Sequence, residues 1–248
     1  MIVFAETQKG PGKAENEDRV VFGGAVLAGG AAAVQMQAGV LAVADGVGGR
    51  NAGAAASDFV AQRICALRQV DLLQMEKINA DLLARAAANQ AESGMATTLA
   101  GICLADGKAQ LFSVGNSRVY LLQGGKYLKQ LTTDDTTVNL LLALGQLSEA
   151  DIGQFDRKNE ITACFGGGDA RLFRFKLSEI APPTSPVMIT SDGIHDYLSV
   201  DDMEEIISES GVSAETCARL IAAARDRGST DDAGVLLAAP GPDGENRP

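Results

Sequence analysis

Val40-Leu41-Ala42-Val43-Ala44-Asp45-Gly46-Val47-Gly48-Gly49 sets five apolar side chains in a row and then an acid at the mouth of a glycine-rich turn. So short an apolar run reads as a buried strand that enters a tight loop. Downstream, Ala52 to Leu67 is alanine-rich with apolar residues at helical spacing. Leu72 to Ala91 offers a second such segment with Asp71 as its cap, so a helical pair follows the strand. From Thr97 the texture becomes TTLAGICLA, a turn at Asp106-Gly107, AQLFSVG, RVYLLQ, a turn at Gly124-Gly125 and KYLKQLT, a meander of antiparallel strands. A short helix at 138–144 and a polar stretch at 148–158 lead to strand-like ARLFRFKL (170–177) and PVMITS (186–191). EIAPPTSP (179–186) reads as a connection, helices are expected over 200–208 and 214–227, and AGVLLAA (233–239) is a last strand.

Upstream, the stretch 20–44 carries no charge, but its Gly23-Gly24 and Gly29-Gly30 pairs suit strands joined by turns better than a membrane span. Runs of strands and pairs of helices without βαβ alternation favour an α+β layered fold. No interior linker cuts the chain, so one domain is expected over 1–239, followed by a disordered tail at 240–248.

The 248 residues suffice for a sizeable core; 46% are hydrophobic and 21% charged, as in soluble globular chains. Asp and Glu (32) exceed Lys and Arg (21), a net charge of -11 that repels nucleic acid and anionic lipid. The opening MIVFAETQKGPGK has no basic leader before an apolar run, which points to the cytoplasm. Cys65, Cys103, Cys164 and Cys217 form no CxxC pair and read as reduced core residues. With one histidine, His195, catalysis must run mainly on carboxylates.

Those carboxylates share a setting. Glu17 and Asp18 sit in ENEDR, Asp45 at a strand end, Asp192 in SDG after VMITS, and Asp231 and Asp232 just before the last strand. A sheet can gather such strand-end acids into one pocket, where their repulsion calls for a cation. An oxygen-only set selects hard ions such as Mg²⁺ or Mn²⁺, and two of them can activate water against a phosphate ester. For any single Asp-Gly, a plain turn is the simpler reading, and only the repetition favours the site.

In order, KAENED (13–18), VADGVGG (43–49), GMATTL (94–99), VGNSRVYL (114–121), LTTDD (131–135), ITACFGGGD (161–169), ITSDGIHD (189–196) and STDDAGVLL (229–237) resemble the metal-dependent Ser/Thr protein phosphatases of type 2C, in their compact bacterial form. The resemblance implies a four-layer α-β-β-α sandwich around two antiparallel sheets. It also implies a site for two Mn²⁺ or Mg²⁺ ions, with Asp45 bridging them and Gly46 giving its carbonyl. Asp192 and Asp231 would hold one metal; Glu17 would help hold the other, with Asp18 in support. The implied chemistry is attack of metal-activated water on phosphoserine or phosphothreonine without a phosphoenzyme. The implied partner is a phosphorylated protein, opposing a Ser/Thr kinase, with no nucleic acid or membrane and a monomeric chain.

The departures are specific. Lys13 stands where the family has a phosphate-gripping arginine, and it supplies a point charge in place of a fork. Asn116 puts a neutral amide where an acid would help bind a third metal, which speaks against that metal; Asp232 adds an acid beside the cluster, and both are auxiliary candidates. Asp135 replaces a common histidine. His195, close after Asp192, is a candidate general acid, though a packing role is the commoner fate of a lone histidine. Arg50 and Arg118 are candidate phosphate contacts, with structural pairing the simpler reading. Two other readings stay open: a catalytically weakened phosphatase-fold binding module, and a phosphoesterase acting on small molecules.

Overall fold

The computed structural model describes residues 1–47, 52–155 and 160–241. Gly48, Gly49, Arg50, part of the polar stretch and most of the expected tail lie outside the described residues. The chain opens with β1 (Ile2–Gln8), β2 (Asp18–Phe22), β3 (Ala25–Leu27), β4 (Gly30–Gln35) and β5 (Gly39–Val47), then α1 (Ala52–Ile64) and α2 (Leu72–Ala88). Next come β6 (Ala96–Thr97), β7 (Leu99–Ala105), β8 (Lys108–Val114), β9 (Arg118–Gln123), β10 (Tyr127–Gln130) and α3 (Thr137–Ala143). The last part holds β11 (Phe165–Gly166), β12 (Lys176–Ile180), β13 (Val187–Thr190), α4 (Asp192–His195), α5 (Val200–Ser210), α6 (Ala214–Asp226) and β14 (Ala233–Ala239).

One sheet runs β10-β9-β13-β14-β1-β4; the other runs β11-β6-β5-β7-β8-β12, with β2 on β5 and β3 on β2. Successive strand residues point to opposite faces, so a strand covered on both sides reads as one unbroken apolar run. In β5, Leu41 and Val43 face the other sheet together with Val119, Ile189 and Leu236, while Val40, Ala42 and Ala44 face α1 and α2 through Val60, Ile64 and Leu82. The first sheet repeats the scheme outward: Tyr120, Met188, Val235 and Leu237 pack against Met203, Ile207, Leu220 and Ile221 of α5 and α6. Three apolar interfaces thus separate four layers, helices outside and two antiparallel sheets within.

The expected elements are present with corrections. The helix expected over 52–67 stops at Ile64, and the one over 72–91 stops at Ala88, before a short turn at Gln90–Glu92. Asp71 caps α2 as expected, accepting from the Gln74 amide at 2.8 Å. ARLFRFKL is not one strand: Ala170–Leu172 form a 3₁₀ turn capped by Asp169, and β12 begins only at Lys176 and takes Glu179 and Ile180 from the expected connection. Here an aromatic cluster overrides strand alternation, with Phe173 centred 4.8 Å from Phe165 and 5.9 Å from Phe175. Strand β1, which the sequence reading left unassigned, lies inside the first sheet between β14 and β4. The cysteines are free; Cys103, Cys164 and Cys217 are buried and Cys65 half-buried.

Candidate active site

Pairing of the strands brings the acids together. Antiparallel β2 and β5 set Asp18 directly opposite Asp45. Strand β13 ends at Thr190 and Asp192 opens α4, while β13's neighbour β14 is entered from Asp231 and Asp232. Side chains from both sheets therefore end at one edge of the sandwich. Glycine is required where these segments cross: a Cβ on Gly46 would lie 2.3 Å from the Gly53 carbonyl oxygen, and one on Gly193 would lie 1.8 Å from that of Asp232. The Asp45 backbone is locked by Thr98 N–H and Thr97 Oγ1, which donate to its carbonyl at 2.8 and 2.9 Å.

Lys13, Glu17, Asp45, Gly46, Asn116, Asp192 and Asp231 line one cavity of about 450 Å³, with Val47, Glu160 and Ile161 completing the wall. Burial raises the Asp45 carboxyl well above its ordinary range, and Asp192, Asp18 and Asp231 push it further. Asp45 and Asp192 line the same cavity, so each carboxylate feels the other directly. Asp192 is raised by burial and by Asp231, while Asn116 Nδ2, donating to its Oδ2 at 2.9 Å, works the other way. Asp18 is fully buried behind the cavity, and burial pushes it up to about 8 although Ser191 donates to its Oδ2 at 2.6 Å. Its Oδ1 has no partner.

Among the described residues no three acids stand ready as a closed cation shell. The Lys13 ammonium instead sits among them, bonded to Asp231, 3.2 Å from Asp232 and 3.6 Å from Glu17. Burial alone would lower the lysine's pKa, but Asp231 and Asp232 outweigh it and the pKa is raised. Burial raises Glu17, against the opposing pull of Lys13. Crowded carboxylates with raised pKa, an orphaned Asp18 oxygen and a donor set made only of oxygen all fit hard divalent cations, with Lys13 partly compensating the charge.

The other candidates fall elsewhere. Asp232 accepts from the backbone N–H of Gly10 at 2.7 Å and of Glu17 at 2.8 Å, so it clasps the loop that carries Lys13 and Glu17. His195 is not among the residues lining the acid cavity. It is buried, its Nδ1 hydrogen-bonds the Thr190 hydroxyl at 2.8 Å, and burial and then Arg118 hold it neutral, well below the usual histidine range. Arg118 is paired in a fork with Asp134, Nε and Nη2 at 2.9 and 2.7 Å from Oδ2. Met95, Ala96, Thr97 and Thr98 are buried, as expected of core packing. Thr97 and Thr98, which hold Asp45, Ser117, whose hydroxyl bonds that of Thr98 at 2.7 Å, and Ser191, which holds Asp18, carry no sequence signal beyond lying inside the motifs.

No family model matches the chain. It is 31% identical over 249 residues to the serine/threonine protein phosphatase PstP of Mycobacterium tuberculosis, covering 94% of this chain and 44% of that protein. It is 29% identical over 212 residues to the serine/threonine phosphatase stp of Listeria monocytogenes, covering 80% of this chain and 83% of the relative. The crystal structure of the PstP catalytic domain in complex with two manganese ions superposes with a TM-score of 0.70 at 27% identity, over 96% of this chain and 98% of that one. The strand-end acids, the two-sheet sandwich that gathers them and these relatives agree: in sequence and fold the chain is similar to the metal-dependent serine/threonine protein phosphatases of type 2C.

Proposed function

We propose that Glu17, Asp45, the Gly46 carbonyl, Asp192 and Asp231 hold two Mn²⁺ or Mg²⁺ ions, and that this chain hydrolyses phosphoserine and phosphothreonine in proteins, opposing a Ser/Thr kinase. The observation that carries the reading is the single cavity in which Asp45, Asp192 and Asp231 meet, from three distant parts of the sequence. When bound, the cations neutralise phosphate charge and favour attack of water at phosphorus. The chain's own residues do the positioning. Asn116 fixes the Asp192 carboxylate, Asp18 and Ser191 brace the floor, and Asp232 anchors the loop bearing Glu17. Lys13, at the rim, holds an ammonium that trades a carboxylate partner for a phosphate oxygen as substrate enters. The two PstP manganese ions support the stoichiometry. No helix among the described residues is long and apolar enough to cross a membrane; a cytoplasmic, monomeric, single-domain enzyme over 1–239 completes the proposal.

Hydrolysis of p-nitrophenyl phosphate with and without Mn²⁺, by wild type and Asp192→Ala, tests it. Turnover that needs Mn²⁺ and vanishes in the variant is expected; metal-independent or absent wild-type turnover contradicts the proposal.

A further inference from the structure

Two of the proposed site residues stand on irregular chain, Lys13 within 9–17 and Asp231 within 227–232. These segments cross in backbone contact, for a Cβ on Gly10 would lie 2.3 Å from the Thr230 carbonyl oxygen. Asp232 clasps them through the amides of Gly10 and Glu17. A second clasp comes from Arg225, in the last turn of α6. Its Nη1 donates to the Ser229 carbonyl at 3.1 Å, to the Ser229 hydroxyl at 3.2 Å and to the Asp231 carbonyl. Its Nη2 donates to the carbonyls of Gln8 and Lys9, both at 3.4 Å. Ser229 passes the tie onward: its hydroxyl donates at 2.8 Å to the carbonyl of Gly193, the residue after Asp192.

Carbonyl oxygens gathered at one point repel one another unless donors lie between them. A planar fork with five N–H donors can serve two crossing segments at once, whereas the three donors of an ammonium radiate from a single nitrogen. Arg225 is not among the residues lining the acid cavity, so it reaches the site through the main chain. Holding the Asp231 carbonyl sets where the Asp231 carboxylate leaves the backbone. Holding the Lys9 carbonyl steadies the turn in which the Lys13 amide donates to the Gly10 carbonyl at 3.2 Å.

Resting on the metal-site reading above, we propose that Arg225 is a positioning residue, a clamp that keeps the backbones bearing Asp231, Lys13 and Asp192 in register for cation binding. The test is calorimetric titration of chelator-treated protein with Mn²⁺, after thermal melts establish which variants are folded at the assay temperature. Wild type, Arg225→Met, Arg225→Lys and Arg227→Met are compared. The sign of the change separates a clamp from a charge. Removing a nearby cation tightens Mn²⁺ binding if its field alone matters, whereas loosening the groups that orient ligands weakens it by about 10–100-fold. Arg225→Met is expected to weaken binding by that factor. Arg227→Met, which breaks an exposed pair with Asp202 at the same helix end, should bind as wild type does. Unchanged or tighter binding by Arg225→Met, or equal weakening by Arg227→Met, overturns the clamp while Mn²⁺ binding by wild type leaves the metal site standing. Should Arg225→Met not fold, Arg225→Lys decides alone: weaker binding supports the clamp, and wild-type binding overturns it. If wild type binds no Mn²⁺, the metal-site reading falls and the clamp with it.

Discussion

Asn116 donates to Asp192 at 2.9 Å while Glu17, Asp45 and Asp231 line the same cavity. It is a neutral donor among acids, and its amide relieves the repulsion that a further carboxylate would increase. Asn116→Asp removes the donor and adds a charge, so the metal-free variant is expected to lose about 1–3 kcal/mol in urea unfolding, with most of it restored by Mn²⁺. Asn116→Ala should lose less. A metal-free Asn116→Asp as stable as wild type would contradict the electrostatic role. At this scale the sequence is legible where an acid stands at or beside the end of a strand: Asp45, Asp192 and Asp231 are all marked by their position. It was not legible where a role depends on folded neighbours. Asp232 resembles a ligand in sequence, yet its oxygens serve amides of Gly10 and Glu17 from the far end of the chain. His195 sits beside the site in numbering but turns its ring to Thr190.

Strand β1 pairs with β14 over seven residues from Ile2 opposite Ala239 to Gln8 opposite Ala233, and with β4 on its other edge. It therefore closes the middle of a sheet whose apolar face includes Val3 and Ala5. Deleting residues 1–8 is expected to abolish cooperative unfolding, followed by far-UV circular dichroism, because two strand edges and the inter-sheet core open together. A truncated chain that melts sharply near the wild-type temperature would contradict this. The strand escaped the sequence reading because its seven residues mix Glu6, Thr7 and Gln8 with apolar ones and carry no turn signal before them. The strands with unbroken apolar runs, β5, β13 and β14, were legible because both of their faces are covered. The stretch 170–177 misled for the opposite reason: its alternating phenylalanines fill an aromatic cluster rather than one face of a ladder.

Across the whole molecule the net charge is -11, and where the two sheets end acids from distant parts of the chain line one cavity, a crowding that the fold tolerates only with compensation. Asp18, Asp45 and Asp192 have raised pKa in the folded, metal-free protein and ordinary values once unfolded. Between about pH 4 and 8 the folded state thus binds more protons than the unfolded one, and stability falls as pH rises. The exposed pairs of Asp169 and Asp202, lowered to about 2 by Arg171 and Arg227, keep their contribution throughout that window. Chelator-treated protein is expected to melt at a higher temperature near pH 5 than near pH 8, a difference that saturating Mn²⁺ should shrink or reverse. A metal-free melting temperature that rises with pH across this range would contradict the assignment. The central claim, that acids remote in sequence form one cation site, is tested most directly by anomalous diffraction at the manganese edge from crystals soaked in Mn²⁺. Two peaks bounded by Asp45, Asp192 and Asp231, absent from Asp45→Asn crystals, are the predicted result; density free of manganese in that cavity, or peaks unchanged by the substitution, would contradict it.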